Sequence, residues 1–135
     1  MKFRIVLFLL AVLVIRVSFA CSCFESPGFE QSIKSHDRII IVELKQTRNF
    51  LFQKRFKVKV AEVIKGGPIT RLKSLKQGKT SCDPRLLDGQ RWIVFLNSAE
   101  EQFQPGWCNP HQVVESLEHG TPNWRELVDE GIRSG

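Results

Sequence analysis

Apolar and polar positions alternate most clearly in RFKVKVAEVI (55–64), where Phe56, Val58 and Val60 face one way and Arg55, Lys57 and Lys59 the other. That period of two predicts a half-buried antiparallel strand. DRIIIVELKQ (37–46) is rich in β-branched residues and ends in alternation, so it reads as a second strand. RWIVFLNS (91–98) reads as a strong core strand, and ITRLKSLKQGKT (69–80) as a weaker one with a basic tip. EQFQPGWC (101–108) is expected as a final strand, kinked by Pro105 and Gly106. NFLFQ, KGGP and LLDGQ break these runs as turns or connections. SPGFEQSIKSHD (26–37), with a cap-like Ser26 and with Phe29 and Ile33 four apart, predicts a short helix. NPHQVVESL predicts a helix after Asn109 with Pro110 at its first position, and TPNWRELVDEGI another short one. The pattern is one helix, about five strands, then helices. An all-β-dominated chain of this size, with flanking helices, suggests a five-stranded closed or nearly closed barrel, of which the OB-fold is the common small form.

The first twenty residues do not fit that pattern. Lys2 and Arg4 precede an unbroken apolar run from Ile5 to Ile15, too short for the roughly 20 residues that span a bilayer. Ser18 and Ala20 are small and sit at −3 and −1 from the Ala20–Cys21 bond. The segment 1–20 therefore reads as a secretory signal peptide. A bacterial lipoprotein signal also puts a Cys after its cut, but Ser18-Phe19-Ala20 offers no Leu at −3. The mature chain is expected to begin at Cys21, to be secreted, and to form one domain over 21–135. The signal segment carries three basic residues and no acidic one, so a whole-chain charge of +6 falls to +3 without it. An excess that small does not by itself indicate nucleic acid.

Cys21, Cys23, Cys82 and Cys108 all lie in the mature segment, and an even count in an exported chain reads as two disulfides. A Cys21–Cys23 bridge would close a very tight ring, which leaves two pairings that each tie the N-terminus to two distant points. A four-Cys zinc site is disfavoured, because C-x-C followed by two lone cysteines lacks paired C-x2-C knuckles.

Other chemistry is sparse. His36, His111 and His119 are scattered, no H-E-x-x-H or Gly-rich phosphate loop is present, and His111 reads as a surface residue at a helix start. No enzyme activity is indicated. Trp92 is expected in the core, Trp107 against a disulfide, and Trp124 pinning the last helix. Lys54, Arg55, Lys57 and Lys59, with Lys73, Lys76 and Lys79, have the charge to bind a sulfated polysaccharide or an acidic partner, although such residues are more often a solvated strand face.

The combination of a mature CSC start, a short helix, a first strand ending in polar residues, FKVKVAEVIKG, a Cys just before DGQRWIVFL and a Cys closing the next strand with a helix after it resembles the tissue inhibitors of metalloproteinases. More closely, it is similar to their N-terminal netrin-like domain, an OB-fold. The resemblance covers nearly all of Cys21 to Leu117. It implies disulfides Cys21–Cys82 and Cys23–Cys108, and inhibition of metzincin-type zinc proteases by chelation of the protease zinc through the Cys21 α-amine and carbonyl. Ser22 would enter the specificity pocket, and Cys23, Phe24, Ser81 and Cys82 would form the contact ridge. The zinc would be the partner's, with no cofactor of the chain's own. The alternative is a netrin-like module that binds matrix or cell-surface partners without inhibiting.

Overall fold

The structure, a computed structural model, describes residues 21, 23, 27–50, 53–69, 71–80, 82–99 and 101–135, the side chains of 48–50 excepted. Five strands form one antiparallel sheet: β1 (Arg38–Phe50), β2 (Gln53–Lys65), β3 (Leu75–Lys76), β4 (Arg91–Leu96) and β5 (Gln112–Val113). Their spatial order is β3-β2-β1-β4-β5, and the sheet curls into a half-barrel. Among the described residues its edge strands, β3 and β5, are not paired with each other. Among the described residues three helices flank it: α1 (Phe29–Ser35), α2 (Val114–Gly120) and α3 (Trp124–Ser134).

The curl has a local cause. Ile39 faces Lys65 but Ile40 faces Val63, and Ile41 faces Glu62 but Val42 faces Val60, so β2 carries an extra residue at two places. Such bulges bend a strand and increase its twist. Beyond Lys65 the strand ends at Gly66, whose φ of +86° suits glycine; a Cβ there would stand 2.9 Å from the Asp37 carbonyl oxygen. Lys65 turns its ammonium back to the end of α1, donating to the His36 carbonyl at 2.8 Å. A cation is favourable at that negative helix end.

The continuous apolar runs in β1 and β4 are explained by burial on both faces. Ile40, Val42, Leu44, Phe56, Val58, Trp92, Val94 and Leu96 fill the concave side together with Leu86 and Phe103. Ile39, Ile41, Ile93 and Phe95 lie on the outer side, under Ile33 of α1, Val114 and Leu117 of α2, and Trp124 and Val128 of α3. Gly131 lets α3 approach α1 closely, since a Cβ would fall 2.5 Å from Ile33 Cγ2. Arg125 of α3 adds a two-pronged contact to Glu62 of β2, both at 3.2 Å. That pair is half exposed and contributes at most about 1 kcal/mol.

Several elements differ from the sequence expectation. No strand forms over 101–108: Phe103 is buried in the concave core, Pro105 has no N–H for a ladder, and Trp107–Cys108 make a turn. The fifth strand is Gln112–Val113, paired with Ile93 and Trp92. The helix expected after Asn109 begins only at Val114, because Gln112 and Val113 take the ladder positions first. Asn49 and Phe50 belong to β1 and Gln53 opens β2, so the hairpin extends further than the NFLFQ break implied. The weak basic strand reduces to Leu75–Lys76. α1 starts after Gly28 with no side-chain cap; Ser26 lies outside the described residues. No described helix is long and apolar enough to cross a membrane.

Candidate functional site

Two disulfides hold the N-terminal segment against two loops. Cys21 is joined to Cys82 across 61 residues with Cα atoms 5.4 Å apart. Cys23 is joined to Cys108 across 85 residues with Cα atoms 5.1 Å apart. This is the pairing that the resemblance implies. All the cysteines are thereby oxidised, so none remains a thiolate for zinc. In the chain-entropy model each closure stabilises by about 4 kcal/mol.

The loop that carries Cys82 is fixed along its length. At its start the Gln77 N–H donates to the Lys54 carbonyl of β2 at 2.9 Å. The Gln77 side chain then spans the loop, donating to the Pro84 carbonyl and accepting from the Leu86 N–H, both at 2.9 Å. At its end the Leu44 N–H donates to the Gln90 carbonyl at 2.9 Å and the Gly89 N–H to the Leu44 carbonyl at 2.7 Å, Gly89 having a φ of +75°. Next to Cys82, the Asp83 carboxylate accepts from the Thr80 N–H at 2.9 Å and the Thr80 hydroxyl at 2.6 Å. These bonds hold the Asp83 pKa below its ordinary value, the hydroxyl contributing most. The Cys108 turn is closed by the Asn109 amide, which donates to the Gln104 carbonyl at 2.6 Å.

Cys21 and Cys108 are exposed, and Cys23 and Cys82 half-buried. Ser22, Phe24 and Ser81 lie outside the described residues. The structure thus brings Cys21, Cys23, Cys82 and Cys108 to one edge. Beside it a groove of about 400 Å³ runs between the two loops, lined by Pro84, Arg85, Trp92, Gly106, Trp107 and Val113 among others. Trp107 is 64 % exposed, an unusual position for so large an apolar side chain. The sequence reading expected it against a disulfide and missed the groove. The available signal was a Trp between Gly106 and Cys108 with no alternating neighbour. Trp92 and Trp124 are both buried, as expected.

His111 is not a surface residue at a helix start. Its Nδ1 accepts the Phe95 N–H at 3.2 Å, and its ring meets Phe103 edge-on with centroids 5.3 Å apart. Loss of hydration, with a smaller effect from the charge of His36, lowers its pKa to about 4. The ring serves the fold as a neutral hydrogen-bond acceptor at the margin of β4.

The basic residues divide in two. Arg55, Lys57 and Lys59 of β2 and Lys76 of β3 are exposed on the outer sheet face, and Lys45 of β1, not singled out from the sequence, joins them. Lys54, Lys73 and Lys79 are exposed outside that outward-facing set. Among the described residues no group of three or more His, Cys, Asp or Glu could hold a metal ion.

In comparisons with known proteins, the chain matches no protein-family model, and no curated protein shows significant sequence similarity to it.

Proposed function

We propose that this chain is a secreted inhibitor of zinc metalloendopeptidases, a netrin-like OB-fold that begins at Cys21 once the segment 1–20 is removed. The observation that carries the reading is the Cys21–Cys82 bridge, which fixes an exposed Cys21 to a hydrogen-bonded loop. In this reading the Cys21 α-amine and carbonyl bind the zinc of a metzincin-type protease and displace the water that would attack the substrate. An α-amine with a pKa of about 7.7–8 gives up its proton readily near neutral pH, so a metal can compete for it. Holding amine and carbonyl in one geometry removes an ordering cost that a free N-terminus would meet on binding. Cys23–Cys108 fixes the segment a second time two residues on. Ser22 fills the specificity pocket, and Phe24, Ser81 and Cys82 flank it. The sulfur of Cys21 takes no part, since the ligands are backbone atoms. The chain needs no cofactor of its own.

The test is the mature protein with Ala20 retained ahead of Cys21. The amine becomes an amide, a poor zinc ligand, while the disulfides and the sheet are untouched. Inhibition constants against a panel of zinc proteases should rise by about 100-fold or more, equivalent to roughly 3 kcal/mol. Ser22→Gly should produce a smaller loss that varies between proteases, because it empties a pocket and leaves the chelating atoms. Equal inhibition by the extended and mature forms would sink the reading, and a non-inhibitory netrin-like binding module would take its place.

A further inference from the structure

We infer that the groove between the Cys82 and Cys108 loops is a docking site for a proline-rich segment of a partner protein, extended as a polyproline II helix and flanked by an acidic residue. Zinc chelation is not involved, since no backbone atom of Cys21 is used. The groove holds about 400 Å³, inside the range of about 300–1,000 Å³ usual for ligand sites. Trp92 and Val113, register partners across β4 and β5, line it from the sheet. Pro84 and Trp107 line it from the two loops.

Trp107 is 64 % exposed, so it adds little to the core, while Trp92 and Trp124 are buried. The turn that carries it is nevertheless firmly held. The Cys23–Cys108 bridge follows it directly. The Asn109 N–H donates to the Gly106 carbonyl at 3.3 Å, and the Asn109 side chain to the Gln104 carbonyl at 2.6 Å. The opposite wall is also fixed, since the Pro84 carbonyl accepts from the Gln77 side chain at 2.9 Å. A large aromatic ring kept in water on a fixed turn meets little ordering cost when a partner covers it. Tryptophan and arginine are the side chains that most often dominate such contacts.

The polar rim selects the ligand. Among the described residues the Trp107 indole N–H, the Arg85 guanidinium and the Gln112 side chain have no hydrogen-bond partner. The Gln90 Oε1 already accepts from the Trp92 indole at 3.1 Å and the Leu87 N–H at 3.3 Å, which leaves its NH2 group to donate. No carboxylate lines the groove. Donors therefore outnumber acceptors, and the ligand should present carbonyl oxygens in excess of N–H groups. A polyproline II strand does this: it makes no internal hydrogen bonds, and its prolines have no N–H. Its rings pack on aromatic side chains, and its conformation is set before binding. A neutral sugar would bring hydroxyl donors for which the rim has few acceptors. Arg85 is exposed and in no ion pair among the described residues, which favours a carboxylate beside the proline run.

The probe is a labelled peptide of about ten residues with a proline run and one flanking aspartate, followed by fluorescence anisotropy with the disulfide-intact protein. Binding should saturate. Trp107→Ala should weaken it by about 30-fold, the size of an interface hot spot. Arg85→Gln should cost up to about five-fold against this peptide and nothing against its asparagine counterpart. Leu87→Ala removes an exposed apolar side chain of the same loop outside the groove and should change binding by less than about two-fold. Thermal melts of each variant exclude misfolding as the cause. The inference is overturned if the peptide does not bind, if Trp107→Ala costs no more than Leu87→Ala, or if Arg85→Gln weakens both peptides equally. It is equally overturned if a peptide with alanines for prolines, or a neutral oligosaccharide, binds as tightly. Sedimentation that shows a dimer which Trp107→Ala dissociates would also overturn it, because the occupant would then be a second copy of this chain.

Discussion

The outer face of the sheet has two halves on one strand that met opposite fates. Ile39 and Ile41 of β1, with Ile93 and Phe95 of β4, lie under three helices and are almost fully buried. Two residues on, the same face of β1 carries Glu43, Lys45 and Thr47, all exposed, beside Arg55, Lys57 and Lys59 of β2. The backbone is one continuous hairpin, so the change lies in the side chains. Where they are apolar, α1, α2 and α3 cover them; where they are charged, they stay exposed among the described residues. The covered half stabilises the fold through area removed from water, at about 25 cal/mol per Å². The open half accepts a cross-strand repulsion that the fold itself does not need.

The strongest way to break this contrast is to put the open half's chemistry into the covered half. Ile41→Lys places an unpaired ammonium under the helices, where Ile41 is 2 % exposed. The cost should exceed about 4 kcal/mol and abolish a cooperative thermal transition followed by circular dichroism. The reciprocal change, Lys45→Ile, should move the transition by no more than about 1 kcal/mol, because that site remains in water. If both variants melt alike, the helices do not cover the face as described.

Acid tests the same contrast at the covered margin without a mutation. His111 has a folded pKa lowered to about 4 against an ordinary value of 6.5. The unfolded chain therefore binds this proton first as pH falls, and stability rises with pH between the two values. The contribution should be fully present above about pH 6.5 and lost progressively towards about pH 4, amounting to on the order of 1–3 kcal/mol. Urea midpoints near neutral and near pH 4.5 measure it. His111→Gln, which keeps an acceptor for the Phe95 N–H but cannot titrate, should flatten that window. Asp83 pulls in the same direction only at lower pH, since its lowered carboxylate pKa starts from 3.8.

The contrast between the halves was partly legible in the sequence. Alternation at Phe56, Val58 and Val60 separated the concave side of β2 from its basic outer side, and the structure keeps that division. The unbroken Ile39–Val42 run marked burial without saying which elements cover each face. The strand expected over 101–108 failed because one buried residue, Phe103, stood in for a pattern, while the true fifth strand is two residues long. A pairing that short leaves no period to read. Lys45 was missed because its role comes from register: only the hairpin alignment sets it opposite Lys57. The groove beside Trp107 was invisible for a similar reason, since it is formed by two loops far apart in the chain.

The smallest effect is the most discriminating. Lys57→Glu replaces a like-charge pair with an opposite-charge pair opposite Lys45, in an exposed position. Cross-strand pairs of this kind differ by roughly 0.2–1 kcal/mol, so the variant should be slightly more stable than the parent. Salt should reveal the origin. In the parent, added salt screens repulsion among Lys45, Arg55, Lys57 and Lys76 and should raise the urea midpoint; in Lys57→Glu the same salt screens an attraction and should lower it. Two urea series, at low and at high sodium chloride, decide the matter. A gain in stability with that reversal of the salt response would mean that the fold does not need the like-charge pair. Should Lys57→Glu instead destabilise the protein with no dependence on salt, the Lys57 stem would be packing against its neighbours, and the open half would be contributing to the fold after all.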